Sequence, residues 1–410
     1  MSAVLAVLVF AMAAEPPPEV KAYEEATADL EKVDAAIGSR LEKWLSSENP
    51  YQRQAVLLRY QTARGALAPS AADALLRLLD DQDKRVIGPC VYLVFHDPAE
   101  GTLGEGQYEE LDRCQQNQRS NAELAAELLP ALGHAQGLCA KVVAAVVQKP
   151  QRGTLLTPAA RAACSADELL GAAAPQAPTP AAQQALLRLF LATGAAPDDS
   201  LLLPLMNLPE LRTRELVALA LLRAPKLPGE ALALLMASID DDQRDDVLRD
   251  LPQVGEAAAP LGPALIRRLS RPQAVNPIAT LQAVAALRKL PPDGAKPLGR
   301  ALEGDLADHA FRTVAALEPA DAKRVRPQVL KAAQGKRRDL SLALRALQAA
   351  ESPVSAAEFR LLDRIYQRGC LTPPVSYHDD PNEPWCADAE KAMAEIALEG
   401  GFKFHHLSVY

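Results

Sequence analysis

From Asn49 onward, apolar residues recur at i, i+3, i+4 and i+7 in segments of about 12–16 residues. That period lays one apolar stripe along a helix. Pro, Gly and Asp punctuate the segments. Pro often sits near a predicted helix start, as at Pro69-Ser70, Thr157-Pro158, Thr179-Pro180, Pro228-Gly229 and Pro353-Val354. There its fixed φ is already helical and its missing N–H costs nothing. Sustained period-two alternation of Val, Ile and aromatic residues is absent, so the pattern predicts no sheet. Upstream, Tyr23 to Trp44 reads as one long polar helix.

The segments repeat. First helices are predicted to start near Pro50, Asp83, Ala135, Thr179, Glu210, Asp241, Ala274, Asp305 and Lys336, most at intervals of about 30–33 residues, one helix pair each. The first-helix texture recurs in NPYQRQAVLLRY (49–60), LPELRTRELVALALL (208–222), DLADHAFRTVAAL (305–317) and RRDLSLALRAL (337–347). The second helices are shorter and rich in Leu, as in SAADALLRLLDD (70–81) and GEALALLMASI (229–239). The chain then divides into a Pro-rich start and helix (14–48), a first sub-array (49–170), a low-complexity linker (171–180), a second sub-array (181–370) and a C-terminal loop, helix and tail (371–410). Residues 96–118, HDPAEGTLGEGQYEELDRCQQNQ, interrupt the rhythm of the first sub-array. Long insertions of this kind are uncommon and are a place to look for function.

Composition supports an extended array. The chain has 410 residues, 49% hydrophobic but only 4% aromatic, so Leu, Ala and Val must build the core. A single compact core stops growing at roughly 250–300 residues, whereas stacked units bury themselves on their neighbours. The net charge of −8 argues against a chain-wide attraction to nucleic acid or to an anionic membrane.

Residues 3–13, AVLAVLVFAMA, are one short uncharged apolar run ending in Ala11-Met12-Ala13. Small residues there suit a signal peptidase, and the run is too short to span a bilayer. Residues 1–13 are therefore expected to be a signal peptide, with a mature chain that is exported, periplasmic or extracellular, without a stable membrane span. Export makes disulfides permissible. Cys370 and Cys386 enclose the Pro-rich segment LTPPVSYHDDPNEPW, and pairing them would staple a terminal cap. Antiparallel helix pairs bring the end of one helix beside the start of the next, which suggests Cys90–Cys114 and Cys139–Cys164.

Asn49-Pro50 followed by Arg53 and Ala55, and Asp83 followed by Arg85-Val86, resemble the first-helix signature of HEAT repeats. In that family an acidic or amide residue with Pro opens the helix and an Arg bonds into the turn. The resemblance covers roughly residues 45–370. It implies an all-α fold, an α-solenoid forming a right-handed superhelix of helix pairs with a concave groove, and a binding or scaffolding role. HEAT-like hydroxylases use repeated His-Glu pairs, but none of His96, His134, His309, His378, His405 and His406 precedes a Glu. HEAT-like DNA glycosylases need a basic groove bearing aromatic side chains, and Trp44 and Trp385 both lie outside the repeats. Neither activity carries over.

Catalytic motifs are missing. The chain has no G-x-S-x-G, no G-x-x-x-x-G-K-[ST], no G-x-G-x-x-G and no H-E-x-x-H, so no catalytic residue and no cofactor is expected. One loop cluster, His378, Asp379, Asp380 and Glu383, offers the donors of a divalent-metal site, although adjacent loop side chains rarely converge on one ion. The run Asp240-Asp241-Asp242 to Asp245-Asp246 reads as a helix entry, where carboxylates meet the positive end of the dipole.

Charge is distributed unevenly. Lys323 to Arg345 contains eight basic residues against Asp339 alone, while Glu230 to Glu256 contains eight acids against Arg244 and Arg249. Arg324 and Lys331, seven apart, share a helix face, and Arg337 opens the next helix. These three are the expected contacts for an acidic partner. The leading expectation is an exported scaffold or adaptor that binds another protein and not nucleic acid. An envelope enzyme or enzyme subunit, with a site in residues 96–118 or 378–386, and a structural protein without specific ligand are the alternatives.

Overall fold

The structure is a computed structural model that describes residues 43–62, 67–81, 119–133, 135–174, 179–271, 275–334, 340–350, 353–371 and 384–404. The predicted signal peptide, the pair Cys90–Cys114, the 96–118 insertion, the cluster His378, Asp379, Asp380 and Glu383, and Arg337 lie outside the described residues. Among the described residues the fold is all-α, with no β-strand. No helix there is long and apolar enough to cross a membrane.

The chain forms two compact units, the first ending at Glu168 and the second beginning at Leu169. In the first unit the helices are α1 (Pro50–Thr62), α2 (Ala71–Leu78), α3 (Asn121–Leu128), α4 (Leu138–Gln148) and α5 (Gly153–Ala163), while α6 (Ala166–Ala172) crosses the boundary. α1, α3 and α5 pack side by side, and α2 packs on α4. Leu138–Gln148 therefore belongs with the second helices, although the sequence reading starts a first helix near Ala135. Pro158, read as a helix start, lies inside α5.

The opening of α1 follows from its residues. Asn49 Oδ1 accepts the Tyr51 N–H at 2.9 Å, satisfying one of the helix's orphan donors. Arg53 donates to Ser47 O at 2.7 Å and Glu48 O at 3.0 Å, and its Nε meets Asp81 Oδ2 at 2.7 Å. The same Asp81 oxygen accepts Asn121 Nδ2 at 2.9 Å. One carboxylate after α2 thus holds two successive first helices. A disulfide joins Cys139, in the first turn of α4, to Cys164, which caps α5, with Cα atoms 4.8 Å apart.

The second unit continues with α7 (Pro180–Thr193), the short α8 (Asp199–Leu202), α9 (Leu211–Leu221), α10 (Gly229–Asp240), α11 (Asp246–Val254), α12 (Gly262–Leu269), α13 (Pro277–Leu287), α14 (Ala295–Glu303), α15 (Ala307–Ala316), α16 (Pro319–Ala333), α17 (Leu340–Gln348), α18 (Ala356–Tyr366) and α19 (Pro384–Gly400). The odd-numbered helices from α7 to α19 pack each on the next, and α10, α12, α14, α16 and α18 form a second row. The interior is aliphatic, as the composition requires: Leu186, Leu216, Leu235, Leu265, Leu281, Leu298, Val325 and Leu344 are fully buried.

The C-terminal end closes differently. Cys370 and Cys386 are joined as a disulfide with Cα atoms 5.7 Å apart. Phe402 stacks on Phe359 of α18 with ring centroids 4.6 Å apart, and Phe404 meets Tyr366 at 5.5 Å. On α19, Asp388, Lys391 and Glu395 are exposed while Met393 and Ile396 are buried, and Leu398 near its end is also exposed.

Candidate partner-binding face

The second row owes its spacing to short side chains and to arginines. A Cβ on Gly299 of α14 would stand 2.7 Å from Gln328 Cγ of α16, so glycine permits that close approach. Early in α16, Arg324 donates to Leu290 O at 2.8 Å and Pro291 O at 3.0 Å, and also to Pro292 O. These carbonyls precede α14. Late in α16, Lys331 pairs with Glu303, the last residue of α14, at 2.8 Å. The two helices therefore run parallel.

Arg324 is thus engaged within the fold. The two side chains do share one side of α16, but that side is turned toward α14. The Arg324 guanidinium also meets Asp321 at 2.7 Å, and its side chain is 35% exposed. Its donors are used to hold a neighbouring turn. Lys331 is 70% exposed, yet is paired.

The exposed faces of these helices carry other cations. Lys296 and Arg300, one turn apart on α14, and Lys323 on α16 are exposed and make no ion pair among the described residues. Nothing in the sequence separated them from Arg324, because the helical period gives relative faces but not which face a neighbour covers.

Beside them, between α12 and α14, lies an open cavity of about 550 Å³ lined by Pro263, Ile266, Pro291, Pro292 and Pro297, with Ser270, Arg267, Arg271 and Asp293 around it. It exists because helix-opening prolines have no long side chains to fill the space. Pro291 Cγ stands 2.6 Å from where a Cβ on Gly262 would be, and Ile266 Cδ1 3.2 Å from where one on Gly294 would be, so α12 and the turn before α14 approach closely at these glycines. Arg267 pairs with Asp240 at 2.8 Å, and Arg271 with Asp242 at 2.8 Å. Hydrogen bonding to Asp242 raises the Arg271 pKa above its ordinary value, fixing its positive charge.

Those pairs also correct the reading of the Asp run. Asp240 is the last residue of α10 and Asp241 its cap, so this half of the run sits at a helix C-terminus. The negative end of that dipole is offset by later arginines. Arg268, fully buried, donates to Ile239 O at 2.8 Å, Asp241 O at 2.7 Å and Val275 O at 3.1 Å, supplying donors that orphan carbonyls lack. Only Asp245 and Asp246 stand at the entry of α11. Asp245 has its pKa lowered by the Asn276 amide, then by Arg249.

One buried polar cluster lies elsewhere in the second unit. The Glu215 carboxylate of α9 is fully buried, accepts Ser238 Oγ at 2.6 Å and Arg212 Nη1 at 3.1 Å, and pairs with Arg244 at 2.9 Å. Arg212 also reaches Asp246 O at 3.0 Å and the Asp250 carboxylate. The cluster joins α9, α10 and α11 and has the form of a structural tie. Among the described residues no group of three or more His, Cys, Asp or Glu is placed to hold a metal ion.

Compared with known proteins, the chain matches no protein-family model and no curated protein by sequence.

Proposed function

We propose that the chain is an exported HEAT-type solenoid scaffold that binds an acidic segment of another protein across its second-helix row. One observation carries this reading: Lys296, Arg300 and Lys323 stand exposed, without an ion pair among the described residues, on adjacent parallel helices of a protein whose net charge is −8. A protein that is acidic overall yet keeps a local row of free cations has a face suited to orient an anionic partner. The two helix rows, and the arginine bonded into the turn at Asn49-Pro50, support the HEAT-type reading. The apolar run at residues 3–13 and the two disulfides support export, since such bonds persist in oxidising compartments.

The test is fluorescence anisotropy with an acidic Glu/Ser peptide. Wild type is expected to bind it, more weakly as salt rises, because exposed charges are screened beyond about 8–10 Å at physiological ionic strength. The triple reversal K296E/R300E/K323E is expected to lose binding while keeping its helical circular dichroism. Equal binding by wild type and the reversal at low salt would overturn the assignment. For export, N-terminal sequencing of native protein should begin at Ala14, and a retained Met1 would refute it.

A further inference from the structure

We infer that the acidic segment carries one apolar side chain that enters the cavity between α12 and α14, and that acidic residues lie to one side of it, over α14 and α16, at defined spacing. This rests on the proposed binding face and adds to it the sequence pattern of the partner.

The cavity supplies what free cations alone do not. Its walls are Ile266 and four prolines, and its volume of about 550 Å³ falls within the roughly 300–1,000 Å³ of clefts that hold a ligand group. Arg267 and Arg271 stand on its α12 side. Lys296 and Arg300 lie one residue before and three after Pro297, so helical periodicity sets them beside the α14 wall. Arg267 and Arg271 are already paired with Asp240 and Asp242, so the available cations lie on the α14 side, and the hole fits an apolar residue with acidic ones to one side of it. Asp293, also at the rim, opposes an acid directly over it and favours acids placed beyond the cavity, over α14.

Spacing follows from geometry. Neighbouring helix axes stand about 8–10 Å apart, and an extended chain advances about 3.3 Å per residue. Lys323, on the helix beyond α14, is about one and a half helix spacings from the cavity. A segment crossing the row therefore meets it about four or five residues after the apolar one. The expected pattern is apolar, acid, then a further acid about four or five positions from the apolar residue. Neither Phe, Tyr nor Trp lines the cavity, so it lacks the stacking platforms on which single-stranded nucleic acid depends. A polypeptide is the favoured occupant.

Three fluorescein-labelled ten-residue peptides test this on the full-length protein: a Glu/Ser peptide with one Phe in the stated register, the same peptide with Ser for Phe, and the Phe peptide with Lys for Glu. The Phe peptide is expected to bind wild type about 10-fold or more tightly than the Ser peptide, the worth of burying a large apolar side chain. The Lys peptide should not bind. Ser270→Leu, which fills the cavity, should erase the Phe advantage while leaving the Ser peptide's affinity in place. Pro263→Leu, at an exposed rim position, should do the same and serves if the first variant loses its helical signal. Equal affinity for the Phe and Ser peptides would overturn the cavity assignment and leave the charged face standing. Failure of both acidic peptides would overturn the binding face itself. An oligothymidylate that binds tighter than either peptide would overturn the choice of a polypeptide.

Discussion

Arg244 and Glu215 meet at 2.9 Å across a carboxylate that has no exposed surface. Arg244 lies between α10 and α11 and Glu215 lies on α9, so the pair joins two successive helix pairs. Arg212 and Ser238 complete the shell around the carboxylate. Removing the acid would strip Arg244 and Ser238 of this partner and leave Arg212 only Asp250 and the Asp246 carbonyl. Glu215→Ala is expected to lower stability by about 3–5 kcal/mol, the usual cost of breaking a buried pair from one side. Glu215→Gln keeps the volume and an acceptor and should cost less. Urea unfolding followed by circular dichroism measures both.

Arg324 and Lys323 are sequence neighbours with opposite expected phenotypes. Arg324→Ala removes donors from the carbonyls of Leu290, Pro291 and Pro292 and should cost about 1–2 kcal/mol. Lys323→Ala should leave the melting temperature nearly unchanged and weaken only binding of acidic peptide. Thermal melts of the two variants, run beside the anisotropy assay, separate these roles.

Acid should loosen the end of the second unit through Glu358. Arg326 donates to both of its oxygens, each at 3.0 Å, and the Ser355 N–H donates at 2.7 Å. The Arg326 hydrogen bonds, then those from Ser355, hold its pKa down at about 2 against an ordinary 4.5. A depressed carboxylate contributes stability that is complete above its unfolded pKa and is lost as pH falls through the folded value. Stability should therefore decline between about pH 4.5 and 2, and Glu358→Gln should flatten that part of the profile. Melting temperature measured against pH in both proteins checks this.

Each disulfide should be worth about 3 kcal/mol. They close loops with sequence separations of 25, for Cys139–Cys164, and 16, for Cys370–Cys386, and restricting the unfolded chain stabilises by about that much for loops near this size. Non-reducing peptide mapping should recover both linkages. Cys164→Ala and Cys386→Ala should each lower the denaturation midpoint. Recovery of these four cysteines as free thiols from native protein would contradict both bonds.

Much of the helical plan was legible because its signals are local. Pro180 opens a helix behind Thr179, whose side chain accepts the Ala182 N–H, and the hairpin argument placed Cys139 near Cys164. What escaped the sequence depends on neighbours one unit away. The carbonyls that occupy Arg324 lie 32–34 residues earlier. The arginines that claim Asp240 and Asp242 lie 27–31 residues later. A dipole argument restricted to adjacent residues assigned that Asp run to the following helix. Row membership was hidden in the same way: Leu138–Gln148 has the periodicity of any amphipathic helix, and only its packing on α2 gives its place. The cavity between α12 and α14 had a trace in the sequence, the clustered prolines 291, 292 and 297, but their meaning depended on Ile266 standing opposite.

The ties between successive helix pairs have a consequence for synthesis. Arg53 to Asp81 spans 28 residues, Arg268 to Asp241 spans 27, Asn276 to Asp245 spans 31 and Arg326 to Glu358 spans 32. None of these bonds waits for a distant part of the chain, and contacts so close in sequence favour rapid folding. As the polypeptide is made, a pair held by a tie of this kind gains it about thirty residues after the first partner emerges.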